Sequence, residues 1–244
     1  MQLIRSVVLI LWFSCFIGNS EAMEVTVQSG PMRTSLLELF TSEGCSSCPP
    51  AEEWFSSLRR SPELWKEVVP VAFHVDYWDK LGWSDPFASA QATRRQHDYA
   101  ASWGSDSVYT PAFVLNGAEW RPRDLHSISS IKKEVGKLSA TLHESGKVEV
   151  TFQPSNKIEA KWEAHVALLT LGASSDVKAG ENKGRKLIHD FVVVDYQTSA
   201  MSGETPTATL RLPVGQIKHG QSALAVWVTE TGKLEPRQAA GGNL

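Results

Sequence analysis

Apolar residues in this chain fall into short runs, and the spacing between them changes partway along its length. Residues 34–40 (TSLLELF) make a run of strand length that breaks at the turn residues Thr41-Ser42-Glu43-Gly44. Pro49 and Pro50 then open the segment 51–59, with Trp54, Phe55 and Leu58 on one helical face. Proline is tolerated there because a first-turn N–H has no helical partner to lose. A second run at 68–75 (VVPVAFHV) predicts a buried strand, with Pro70 near its start where the ladder can spare a donor. After a Trp-rich turn at 76–83, Asp85-Pro86 predicts the start of a helix running to about Trp103. The runs 108–115 and 118–120, joined by Asn116-Gly117, read as a β-hairpin. Asp124 opens an expected helix to Lys137, apolar at Leu125, Ile128, Ile131 and Val135. The order β-α-β-α-β-β-α predicts an α/β layer architecture.

From Ala140 onward the texture changes to strands separated by turns, at 141–143, 148–152, 162–171, 185–197, 207–212 and 223–229. Regular short β-rich segments predict a small antiparallel sheet or sandwich, so two domains are expected, 23–137 and 138–244. The polar stretches 173–183 and 236–244 are expected to be mobile.

Residues 1–22 carry one cation, Arg5, an apolar core from Val7 to Ile17, and the small residues Ser20 and Ala22 flanking Glu21. This is the three-part layout of a secretory signal with expected cleavage after Ala22, and its core is short for a membrane span. No later stretch approaches the roughly 18 apolar residues a span needs, so the mature chain is expected to be secreted or periplasmic and not embedded in a membrane. The whole chain of 244 residues is 42% hydrophobic and 21% charged, with net charge −3. Those values exclude a disordered chain and give no electrostatic footprint for nucleic acid.

Composition matters most at cysteine. Of three Cys, Cys15 lies within the leader, which leaves Cys45 and Cys48. Export puts them where a disulfide persists. In Cys45-Ser46-Ser47-Cys48, placed at the start of a helix, the leading thiolate is favoured by free N–H groups and the positive end of the helix dipole. The second thiol is close enough to attack a mixed disulfide on the first. Cys45 is thus the candidate nucleophile and Cys48 the resolving thiol, a redox-active disulfide with no separate cofactor. A structural disulfide and a metal site remain open on spacing alone, and His74 is a candidate third ligand for Cu(I) beside the two thiols. Two Cys cannot make a Cys₄ zinc site, and no haem-attachment, nucleotide-binding or serine-hydrolase motif is present.

Thr110-Pro111 directly precedes the apolar run 112–115. Together with the Cys pair after the first long strand, this resembles the thioredoxin-like superfamily. The resemblance implies a cis Pro111 facing the Cys pair, Thr110 offering its backbone to a substrate peptide, and a thioredoxin-like βαβαββα domain followed by a smaller β-rich domain. Residues 37–50 (LELFTSEGCSSCPP), 75–88 (VDYWDKLGWSDPFA) and 109–117 also resemble a secreted thioredoxin-like family of unknown function found mainly in Gram-negative bacteria, with Glu181 to Arg185 (ENKGR) as a later landmark. The spacer departs from familiar thioredoxins, being Ser-Ser with the prolines after Cys48. No Lys, Arg or His lies between Thr34 and Arg59 and Glu43 is nearby, so the Cys45 pKa is expected to be only modestly lowered.

Six of the nine Trp fall between Trp54 and Trp120. Tyr77, Trp78 and Trp83 are candidates for a solvent-facing surface that binds extended polypeptide. Asp76 and Asp79 flank that turn and are candidate proton relays or turn residues. The function expected from these features is an exported thiol–disulfide oxidoreductase acting on protein or small-molecule disulfides. The alternatives are a non-catalytic binding protein with a structural disulfide, and a Cu(I) carrier.

Overall fold

A computed structural model of the chain describes residues 24–121, 132–156 and 159–244. The expected leader lies outside these residues, as does the expected helix at 124–137 up to residue 131. In chain order the elements are β1 (Val25–Gln28), β2 (Ser35–Thr41), α1 (Pro49–Ser57), β3 (Val68–His74), α2 (Ala90–Ser102), β4 (Ala112–Leu115) and β5 (Ala118–Trp120). They continue with β6 (Gly136–Leu142), β7 (Lys147–Pro154), β8 (Trp162–Thr170), β9 (Ala173–Asp176), β10 (Lys186–His189), β11 (Val192–Ala200), β12 (Thr207–Arg211), β13 (Ser222–Glu230) and β14 (Pro236–Asn243).

Three sheets organise these strands: one of eight in the order β14-β13-β8-β11-β3-β2-β4-β5, one of four in the order β1-β6-β7-β12, and the hairpin β9-β10. The protein is therefore mostly β, with two α-helices among the described residues. This overturns the expected thioredoxin-like α/β fold with an appended β-rich domain. The expected halves share one sheet, because β11 from the second pairs in parallel with β3 from the first at Val192 and Ala72. β3 is buried at all seven positions, so its second edge has to be paired, and Ala72 N–H donates to Phe191 O at 2.8 Å. A single-strand pattern states that a strand is buried on both faces. It does not state which distant strand covers its edge.

The eight-stranded sheet is the wall between two cores. On β8, Val166 and Leu168 pack into one core and Ala167 and Leu169 into the other. On β13, Leu224, Val226 and Val228 face the four-stranded sheet, while Ala223, Ala225 and Trp227 face the opposite side. Burial on both faces is the reason these runs read as continuously apolar and not alternating. Leu138, Ala140, Val148, Val150 and Phe152 close the second core from the four-stranded sheet.

Several expected local features also change. α2 begins at Ala90 with Ser89 as its cap, whose hydroxyl accepts the Ala92 N–H at 3.1 Å. Asp85, the expected cap, is instead buried and bonded to His74. Residues 236–244, expected to be mobile, form the edge strand β14. Its pattern is inconspicuous because the strand is built from small residues. A Cβ on Gly241 would lie 2.5 Å from the Trp65 ring and 3.0 Å from Leu224 O, so close packing and not apolar area selects the residues here. The stretch 173–183, also expected to be mobile, is the strand β9 followed by a turn that buries Asn182.

Candidate thiol site

The Cys pair occupies the connection from β2 to α1. The Cys45 N–H donates to Ser42 O at 3.1 Å and the Cys48 N–H to Cys45 O at 3.2 Å, which curls residues 42–48 into two successive turns. α1 starts at Pro49, so Cys48 and not Cys45 stands at its N-cap position. Gly44 makes the loop's approach possible, since a Cβ there would meet Trp78 Cβ at 2.9 Å.

Both cysteines are free thiols and both are buried, Cys45 at 1% exposure and Cys48 at 0%. Cys45 Sγ lies 3.2 Å from Ser47 Oγ and 3.7 Å from Thr110 O. A hydrogen bond from Cys48, opposed by burial and joined by hydrogen bonds from Ser47, draws the Cys45 pKa down to about 6. The lowering is larger than the modest shift expected from the absence of cations. Neutral donors aimed at a thiolate do the work that a nearby Lys or His does elsewhere. Burial, reinforced by the neighbouring Cys45, pushes the Cys48 thiol far above the usual range. The two sulfurs are thus chemically unequal, as a nucleophile and a resolving thiol must be.

Thr110 and Pro111 come to the pair from the start of β4, and the bond between them is cis, as the resemblance implies. Gln96 of α2 holds this segment through Nε2 donating to Tyr109 O at 2.7 Å. Trp78 Nε1 donates to Thr110 Oγ1 at 2.9 Å and Trp83 Nε1 to Glu43 Oε2 at 2.7 Å. Tyr77 leans on Trp78 with ring centroids 6.4 Å apart. These three aromatics are half-buried, and the indole N–H groups of Trp78 and Trp83 brace the loop. Asp76 accepts from the Thr93 hydroxyl, and Asp79 accepts from the Ser84 hydroxyl and the Asp85 N–H. Both serve the local chain geometry.

Two further groups complete the site, and of their members only His74 was singled out from the sequence as part of it. The turn after β9 reaches back to the Cys loop: Asn182 Nδ2 donates to Glu43 O at 2.8 Å and to Cys45 O at 3.0 Å, and Arg185 Nη1 orients the amide through Asn182 Oδ1 at 2.9 Å. Glu181 accepts the Ser46 N–H at 3.0 Å. The ENKGR run was visible as a landmark, but nothing in it tells which loop it touches. Replacing Asn182 by Ala takes the side-chain donor from the buried Glu43 carbonyl and leaves Cys45 O with the Cys48 N–H alone, at an expected cost of about 1–3 kcal/mol. The same change should slow alkylation of Cys45, measured on the reduced protein at pH 7.

Behind the loop lies a buried cluster. His189 of β10 bonds Glu52 of α1 through Nδ1 and Glu43 through Nε2 at 2.9 Å. His74 of β3 bonds Asp85 through Nδ1 at 2.7 Å, and its ring meets that of His189 at 5.1 Å in an edge-on contact. Thr41 donates to Glu52 and also touches the Cys48 thiol. Among the described residues, the side chains placed to share a metal ion are Glu52, His74 and His189. The expected grouping of His74 with the two thiols is not formed.

Residues 36–229 match the family model described as a protein of unknown function, DUF1223. A crystal structure of a protein from Agrobacterium tumefaciens is similar at 30% sequence identity and a TM-score of 0.64, over 86% of this chain and 93% of that one. HBP35 of Porphyromonas gingivalis is similar in fold alone, at 12% identity and a TM-score of 0.58 over 88% of this chain and 76% of that one. No curated protein matches. On the extent of the family match and of the Agrobacterium likeness, the chain belongs to the DUF1223 family.

Proposed function

We propose that this protein is a thiol–disulfide oxidoreductase, secreted or periplasmic, that works through Cys45 and Cys48 on polypeptide or small-molecule disulfides. The observation that carries this reading is the unequal pair: Cys45 Sγ held 3.2 Å from Ser47 Oγ and 3.7 Å from Thr110 O, with Cys48 behind it at the helix start. Kinship of this segment with the thioredoxin-like superfamily belongs to the same proposal. It concerns the Cys loop and Thr110-Pro111, not the arrangement of the sheet.

In the proposed cycle the Cys45 thiolate attacks one sulfur of a substrate disulfide, forming a mixed disulfide and expelling the other sulfur as a thiolate. Cys48, deprotonated, attacks the Cys45 sulfur and releases the second substrate thiolate, leaving a Cys45–Cys48 disulfide. The substrate gains two electrons, which a dithiol donor must restore to the pair. Stabilising the Cys45 thiolate at neutral pH favours the dithiol over the disulfide, which moves the pair toward the oxidising end of thiol-exchange proteins.

The test is alkylation of the reduced protein by iodoacetamide across pH. The charged and titratable groups near Cys45 are Cys48, Tyr77 and, through Ser46, Glu181. Reactivity at Cys45 should rise with a midpoint near pH 6 while Cys48 stays unmodified. A midpoint in the ordinary thiol range of about 8.5 removes the basis of the reading.

A second reading is favoured by the burial of both sulfurs: a binding protein whose Cys pair, once oxidised, pins the loop. A reduction potential below about −300 mV marks such an inert bridge, and a higher potential marks a working pair.

A further inference from the structure

The cluster behind the thiol loop contains more metal-ligating capacity than a disulfide exchanger uses. Glu52, His74 and His189 each offer a ligand atom, these atoms lie within 4.8 Å of one another, and all three residues are buried. The His74 Nε2 atom is buried with no hydrogen-bond partner, although a buried ring nitrogen normally finds one. Its other nitrogen is committed to Asp85.

The surroundings are those of a metal centre's outer layer. A ligating histidine characteristically gives its second ring nitrogen to a carboxylate, which fixes the tautomer and raises basicity. Here that arrangement occurs twice, His74 Nδ1 on Asp85 Oδ2 at 2.7 Å and His189 Nε2 on Glu43 Oε1 at 2.9 Å. The supports are themselves held: Asp85 Oδ2 accepts the Glu43 N–H at 2.9 Å, Glu43 Oε2 accepts from Trp83 Nε1 at 2.7 Å, and Glu52 Oε1 accepts from Thr41. With those bonds in place, the atoms left facing one another are His74 Nε2, His189 Nδ1 and Glu52 Oε2. The last two now share a single hydrogen bond.

We propose that Glu52, His74 and His189 form a buried site for a divalent cation of the zinc class. Two imidazoles and one carboxylate are the donor set of zinc sites that keep a fourth position open. An open cavity of about 300 Å³ beside Pro49, Ser56 and Lys186 has Glu52 in its wall.

The test uses the full mature chain after chelator treatment, titrated with Zn²⁺ by calorimetry and with Co²⁺ by absorption spectroscopy. The expected result is one ion per chain and a cobalt spectrum of low-symmetry nitrogen and oxygen ligation without a thiolate charge-transfer band. Binding should survive replacement of both Cys45 and Cys48 by Ser. It should fall roughly ten- to a hundredfold in Asp85→Asn, which replaces the carboxylate supporting His74 and leaves the three ligands in place, and disappear in Glu52→Gln. No stoichiometric uptake by the wild type, a thiolate band, or unchanged affinity in folded Asp85→Asn and Glu52→Gln overturns the proposal. If Glu52→Gln fails to fold by circular dichroism, the wild-type spectrum and the double-Cys variant decide the matter. Because the double-Cys variant lacks both thiols, its result separates this site from the redox reading.

Discussion

Cys45→Ser is expected to abolish disulfide-exchange turnover, and Cys48→Ser to stop the cycle at a covalent adduct. The asymmetry follows from the two environments. In the proposed cycle Cys45 carries the nucleophile, and removing the nucleophile of a covalent mechanism costs several orders of magnitude in rate. Cys48 is held protonated by burial and by the charge of its neighbour. When the Cys45 sulfur enters a mixed disulfide it loses its negative charge, so one of the causes that raise Cys48 vanishes at the step where a thiolate is needed. Without Cys48 the mixed disulfide has no internal route out. Turnover is measured by insulin reduction, and the adduct by mass spectrometry with and without reductant. An adduct forming equally in Cys45→Ser, or in neither variant, contradicts the assignment.

Arg95→Leu is expected to destabilise the protein by about 3–5 kcal/mol, the range for leaving a buried charge without its partner. Arg95 on α2 is fully enclosed and pairs with Glu38 on β2 through a 2.5 Å hydrogen bond. Its guanidinium also donates to Tyr196 Oη at 3.2 Å and Tyr99 Oη at 3.0 Å, and lies 5.1–5.6 Å from the ring centroids of Phe73, Tyr99, Tyr196 and Trp227. Removing it leaves the Glu38 carboxylate buried. Replacing both, as Arg95→Leu with Glu38→Leu, should restore most of the loss, because the apolar pair leaves no charge to solvate. Urea unfolding midpoints at constant m-value distinguish the single from the double variant. Gln96, the next residue on α2, holds Tyr109 beside Thr110. The single variant should therefore also slow Cys45 alkylation.

How far the molecule could be read from its residues differs by element. The paired prolines after Cys48 marked the start of α1, and Asn116-Gly117 marked the turn between β4 and β5, because each of these signals is chemical and local. The runs that became β2, β3, β8 and β13 were recognised as strands from their apolar content, with β2 and β3 read as buried. Glu38 shows the limit of that reading: it sits in the middle of β2 at 0% exposure, tolerated only because Arg95, distant in sequence, reaches it. Asp85 was assigned to a helix cap on the strength of the proline that follows. Its Oδ1 accepts the nearby Phe87 N–H, but its Oδ2 holds His74 and the Glu43 N–H, a use that the following proline does not signal. β14 escaped notice because glycine and alanine leave no apolar signal where the selection is for a close approach to Trp65.

The sequence by itself determined the chemistry that is available: two thiols at the head of a helix, a Thr-Pro pair, a belt of tryptophans, and most of the local strands and turns. These are settled by backbone preferences and side-chain reactivity, which act over a few residues. Only the tertiary structure decided which groups share a site. It joined the two halves of the chain into one eight-stranded sheet, carried Asn182 onto the Cys loop, and brought Glu43, Glu52, His74, Asp85 and His189 together behind it. Buried strand edges, carbonyls and carboxylates have to be paired once water is excluded, and in this chain many of their partners lie more than a hundred residues away.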